Sequence, residues 1–223
     1  MDSMISFFQT GGAFMYPILF VFAFGLAIAI ERYIKLTRVR NANRSMWDKL
    51  QPVLREGNFD AAREMTEKND TTIGQLLSAG LELQGAVRRR DDIEIAMEET
   101  MMEIIPQLEK RTPYVALFSN ISTLLGLLGT IMGLIQAFTA VANANPAEKA
   151  DLLSASIAVA MNTTAFGLIA GIPLLIVYVV LTSKTGEIVD SLEMASVKTL
   201  SIISKATKRQ NADALTKSEP EQA

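Results

Sequence analysis

The sequence predicts an all-α integral membrane protein. It has three transmembrane helices, the second and third extended into the cytoplasm as long helices, and a helical cytoplasmic loop domain. Three observations predict this. Charge-free stretches run over Ser3–Ile30, Thr112–Ala147 and Leu152–Ser183, of 28, 36 and 32 residues. Each exceeds the roughly 20 residues that carry a helix across about 30 Å of hydrocarbon. All 21 basic and 24 acidic residues crowd into the rest of the 223-residue chain, whereas a soluble domain interleaves charged and apolar residues at helical or strand spacing. Finally, the basic residues are lopsided: Glu31–Arg111 holds 14, the segment after the third stretch six, and Asn143–Asp151 only Lys149. The positive-inside rule puts the large loop and the C-terminus in the cytoplasm and the N-terminus outside.

Several function classes fall away on composition. The chain has no Cys and no His, so it offers no thiolate, no imidazole base and no Cys- or His-ligated metal. A membrane enzyme lacks an acid, base or nucleophile in the second and third spans. A net charge of −3 without a basic stripe gives no electrostatic reason for nucleic acid. The start, Met1-Asp2, lacks the basic flank of a cleavable signal peptide.

Six segments follow: 1–34, the outer N-terminus and span one; 35–111, the cytoplasmic helical domain; 112–142, span two; 143–151, an outer loop; 152–183, span three; and 184–223, a helical extension with a disordered tail. Span one, about Phe14–Ile30, is bulky and reads as lipid-facing, with Glu31 and Arg32 snorkelling to the interface. In the cytoplasmic domain, Glu56-Gly57-Asn58 ends a helix and Asp60 is placed to cap the next. Asn69-Asp70-Thr71-Thr72 precedes a helix over Ile73–Gln84, Gly85 breaks it, and Asp91 is placed to cap another. Ile93, Met97, Met101 and Ile104 form a stripe that predicts packing on neighbouring helices. No polar linker separates this helix from span two, which predicts one bent helix from about Asp92 to Ala142 with kinks near Pro106 and Pro113. Span three is expected to continue through Lys184–Lys205, with a polar, disordered tail from about Thr207.

Spans two and three differ in kind from span one. Gly126, Gly129, Gly133, Ala137 and Ala140 recur at three or four residues, and so do Ala160, Thr164, Gly167 and Gly171. Such ridges let helix backbones approach closely in lipid. Thr130 sits on the first ridge, and Asn162, Thr163 and Thr164 cluster on span three. A lone Thr often returns its hydroxyl to a carbonyl one turn earlier, but an amide in hydrocarbon needs partners. These residues fit either an interhelical hydrogen-bond knot or the wall of a hydrated path. Neither span holds an Asp, Glu, Lys, Arg or His. A proton path needs a group that changes protonation, and a cation path benefits from fixed negative charge, so a carboxylate must come from another chain.

The strings Leu124-Leu-Gly-Leu-Leu-Gly-Thr130 with Ile131-Met-Gly133, and Thr164-Ala-Phe-Gly-Leu-Ile-Ala-Gly-Ile-Pro173, resemble the span-two and span-three patterns of the ExbB/TolQ/MotA family of membrane ion-channel subunits. Three spans over 223 residues resemble its ExbB/TolQ branch. The resemblance implies a bacterial inner-membrane homopentamer around two copies of a single-span ExbD/TolR-like protein that supplies a membrane Asp. It implies work passed on to a TonB/TolA-like protein. It also implies no cofactor, with proton as the transported ion or sodium as its rival. Thr130 and Thr164 match the family's pore-facing threonines, and Pro173 its span-three proline. Two departures stand out: Val159 replaces a Glu usual in ExbB-type members, and Thr163-Thr164 replaces Ala-Thr. Paired hydroxyls with Asn162 fit transient sodium coordination, since hard cations prefer oxygen. A non-conducting scaffold assembled through the small-residue ridges is the alternative.

Overall fold

The computed structural model describes residues 11–85 and 90–218. Their regular structure is helical: α1 Met15–Arg55, α2 Phe59–Glu67, α3 Thr72–Leu83, α4 Arg90–Glu109, α5 Thr112–Asn143 and α6 Lys149–Ser218. Three helical stretches, in α1, in α4–α5 and in α6, are long and apolar enough to cross a membrane. The all-α membrane fold expected from charge segregation is therefore present. The chain divides into two compact units, one of residues up to Tyr33 with Arg111–Thr182, the other of Ile34–Lys110 with Ser183 onward.

In the first unit, α1 is two-sided rather than wholly lipid-facing. Met15, Ile18, Gly25, Ala29 and Arg32 recur at helical spacing and are buried, while Tyr16, Phe20, Phe24 and Ile30 are exposed. The small residue at Gly25 makes this possible, because a Cβ there would lie 2.8 Å from a Leu174 methyl and 3.0 Å from Phe118 Cβ. Arg32 does not snorkel. It is 1 % exposed, and its Nε donates to Thr112 Oγ1 at 3.3 Å. Its neighbour Glu31 stays exposed and pairs with Arg111 at 3.1 Å.

The bent helix expected from Asp92 to Ala142 is present as one long helical stretch, but it breaks between α4 and α5, close to the kink expected near Pro113. Arg111 adopts the left-handed conformation (φ 69°) between α4 and α5. Pro113 then occupies the first turn of α5, where its missing N–H would be unbonded anyway and its fixed φ suits a helix start. Pro106 lies inside α4, which continues past it.

In the second unit, α2 and α3 are short helices with side-chain caps. Asn58, rather than Asp60, caps α2 by accepting from Ala61 N at 3.1 Å; Asp60 sits in the first turn, where its charge complements the helix N-terminus. Thr71 caps α3 by accepting from Gly74 N at 3.1 Å. Asn43, on α1 and 3 % exposed, ties α3 down by exchanging hydrogen bonds with Thr72 (2.7 and 2.9 Å) and accepting from Ile73 N. On α4, Asp91 and Asp92 lie in the first turn, with Arg90 already helical; residues 86–89, just before it, fall outside the described residues. Ile93, Met97 and Ile104 are buried, as the stripe predicts, and Met101 is half-buried. A Cβ at Gly80 of α3 would lie 2.5 Å from the Met97 sulfur, so Met97 packs inside the unit.

The tail expected to be disordered from Thr207 is helical to Ser218. Ala, Lys, Arg, Gln and Leu dominate that stretch and favour helix even without an apolar face; residues 219–223 fall outside the described residues. One buried polar group on α6 is unsatisfied. The Thr199 hydroxyl is fully buried and has no hydrogen-bond partner among the described residues. A buried unsatisfied hydroxyl costs about 1–3 kcal/mol. Thr199→Val, which keeps the shape and removes the oxygen, should therefore raise the thermal unfolding midpoint in detergent.

Candidate functional site

Spans two and three pack antiparallel along their small-residue ridges. Gly126 faces Gly167, Gly133 faces Ala160, and Ser119 donates to the Gly171 carbonyl at 2.7 Å. A Cβ on Gly167 would lie 2.8 Å from Gly126 Cα and 2.8 Å from the Ser122 carbonyl oxygen, and one on Gly126 3.1 Å from Gly167 Cα. At Gly171 it would lie 2.6 Å from the Thr123 hydroxyl, and at Gly133 2.8 Å from Ala160 Cβ. Backbone therefore meets backbone at the centre of this contact, and only glycine on both sides permits that. Ala137 is buried, but Ala140 is exposed, so the ridge ends one turn earlier than its spacing predicts. Pro173 lies on the exposed face of α6, whose helix runs on through it.

Two hydroxyls meet within this contact. Thr130 Oγ1 and Thr164 Oγ1 are hydrogen-bonded to each other. Thr164 also donates toward the Gly126 carbonyl at 2.9 Å. Thr130 reaches the Gly126 and Ala160 carbonyls at 3.3 and 3.4 Å. Both threonines are half-buried. A pair of hydroxyls over shared carbonyls can accept, donate and hand on a hydrogen bond, but it holds no net charge at any ordinary pH.

The other two span-three candidates lie elsewhere. Thr163 is 2 % exposed, and its hydroxyl donates to the Gly11 carbonyl at 2.6 Å and to its own helix at Val159 O at 3.0 Å. Its methyl packs where a Gly129 side chain would stand. Adjacent residues on a helix point about 100° apart, so the two threonine hydroxyls engage different elements. Asn162 is half-buried on α6, and its side chain makes no hydrogen bond among the described residues. Among those residues no group of three His, Cys, Asp or Glu comes together to hold a metal.

Sequence reasoning missed Ser119, Ser122 and Gly11. The serines were findable, because they continue the Gly126–Gly129 spacing toward the start of α5, and both are buried. Gly11 was not, since 152 residues separate it from Thr163.

Residues 68–194, more than half of the chain, match the MotA/TolQ/ExbB proton channel family. The chain belongs to this family. An ExbB homologue of biopolymer transport from Methanothermobacter thermautotrophicus is 25% identical over 198 residues, 86% of this chain and 67% of that protein. The Tol-Pal system protein TolQ of Haemophilus influenzae is 37% identical over 83 residues, 37% of this chain and 36% of its own length. The biopolymer transport protein exbB1 of Vibrio cholerae is 46% identical over 57 residues, 26% and 25% of the two chains. The matched region includes both hydroxyls and the whole glycine contact of this MotA/TolQ/ExbB member. Together with the three apolar helical stretches, family membership makes it a multi-pass inner-membrane protein.

Proposed function

We propose that this chain is the channel-forming subunit of an ExbB/TolQ-type motor that couples ion flow to mechanical work. Five copies enclose two copies of a single-span ExbD/TolR-like helix. The observation that carries the reading is a mismatch. Spans two and three bring the Thr130 and Thr164 hydroxyls together on a glycine-lined contact, yet hold no Asp, Glu, Lys, Arg or His. A wall of this kind solvates a passing proton and cannot carry it. The carrier is a carboxylate on the enclosed helix, which alternates between charged and neutral as it meets hydroxyls on successive subunits. Val159, where ExbB-type members usually have Glu, leaves that carboxylate as the sole carrier. The N-terminus faces the periplasm and the C-terminus the cytoplasm, as the distribution of basic residues supports. Proton is the transported ion and sodium the rival; the energy passes on to a TonB/TolA-like protein.

The close Gly126–Gly167 approach favours a second reading, a scaffold that conducts nothing. Reconstitution separates them. The co-purified subunit and single-span partner in proteoliposomes should pass protons down a pH gradient, and the subunit alone should pass none. Selective conductance by the isolated subunit would overturn the guest-carboxylate reading, and silence of the intact pair would favour the scaffold. The same vesicles under a sodium gradient identify the ion.

A further inference from the structure

We infer that Thr163 is a positioning residue that latches the segment entering span one onto spans two and three, and that only Thr164 of the adjacent pair serves the ion path. The inference rests on the channel reading above, but its geometry stands apart. The Thr163 hydroxyl is buried and makes a 2.6 Å hydrogen bond to the Gly11 carbonyl, four residues before α1 begins. That carbonyl lies outside any helix, so it has no intrahelical donor to fall back on.

Two further contacts hold the same short segment. A Cβ on Gly12, which adopts φ +76°, would stand 3.3 Å from a Val159 methyl, one turn from Thr163 along α6. A Cβ on Gly129 would lie 3.2 Å from Phe14 Cβ and would collide with the Thr163 methyl. The segment from Gly11 to Phe14 thus sits in a notch formed by Val159 and Thr163 of α6 and Gly129 of α5. Glycine at 129 makes the notch, Val159 walls it, and the Thr163 hydroxyl fastens the chain within it. A bulky charged side chain at 159 would occupy the same space, so Val159 and the latch belong together.

The consequence concerns ion choice. A sodium site built on both threonines would need the Thr163 oxygen to turn toward Thr164's partners. The latch holds it on Gly11, and its second acceptor is Val159 O at 3.0 Å, on the same side. The paired hydroxyls therefore do not act as one ligand set.

The absence of native Cys gives a clean test. Ala13 is exposed, so a single cysteine is introduced there (A13C) in the full complex with its partner, and its reaction rate with a water-soluble maleimide is measured. Thr163→Val, which keeps shape and removes the donor, should speed labelling about fivefold, the equivalent of about 1 kcal/mol at 1.4 kcal/mol per tenfold. Thr163→Ser should restore the slow rate, and neither should shift the ratio of sodium to proton flux. Equal labelling rates in wild type and Thr163→Val would overturn the latch, as would Thr163→Ser behaving like Thr163→Val. A changed sodium-to-proton ratio in Thr163→Val with slow labelling would make Thr163 an ion ligand instead. Absence of flux in every version, with labelling as expected, would sink the channel reading and leave the latch standing.

Discussion

Thr164→Val is expected to lower ion flux through the reconstituted complex by about tenfold to a hundredfold, the loss that follows when a hydrogen bond to a charged group is removed. Valine keeps the volume and β-branching of threonine, so helix packing is retained. What disappears is the oxygen that faces Thr130 and the donor to Gly126 O. The Gly126 carbonyl keeps the Thr130 hydroxyl within 3.3 Å and is not orphaned, which is why assembly should survive. Size-exclusion chromatography of the complex reports assembly, and a pH-sensitive dye inside vesicles reports flux. Thr164→Ser, with its oxygen intact, should retain most of the flux. Full flux in Thr164→Val would remove the hydroxyl pair from the path altogether.

Gly167→Leu is expected to abolish the folded complex, and Gly167→Ala to weaken it by about 1–3 kcal/mol, the usual cost of overpacking. The atoms an added Cβ would meet are Gly126 Cα and the Ser122 carbonyl oxygen, each at 2.8 Å. Both are backbone, so no side chain can swing aside and the two helices must separate along their length. Separation also lengthens the Ser119–Gly171 hydrogen bond and draws Thr130 away from Thr164. Gly186→Ala on the same helix is the control, because nothing lies within 4 Å of its added methyl. There the gain in helix propensity, about 0.5–1 kcal/mol, should leave the protein at least as stable. Yield and thermal midpoint of the detergent-purified complex measure all three variants. Equal midpoints for Gly167→Ala and wild type would mean the interface opens at little cost.

The spans were legible because lipid imposes a coarse rule: length without charge is enough to find them. The Gly126, Gly129, Gly167 and Gly171 ridges were legible for a related reason, since glycine at helical spacing has few uses in a membrane other than close approach. What escaped depended on partners remote in sequence or on one backbone angle. Arg111 carries no residue-level sign of its left-handed conformation, and Pro113 reads equally as a kink or a helix start. Arg32 looked like a residue bound for the interface, because its burial depends on Thr112, 80 positions away. The stripe of α1 was hidden by its bulky neighbours Phe20, Phe22 and Phe24; only Gly25 and Ala29 signalled contact. The last turns of α6 were misread because polar composition and helix propensity disagree there, and propensity prevails.

Where Gly126 and Gly167 meet, there are no intervening side chains to rearrange. Interfaces lined by long side chains are compliant, since rotamers yield under load and absorb displacement. A join of bare backbone has no such give, so the two helices transmit a lateral push with little loss. On the motor reading proposed above, a stroke delivered at Thr130 and Thr164 would therefore pass from one helix of the pair to the other almost undiminished.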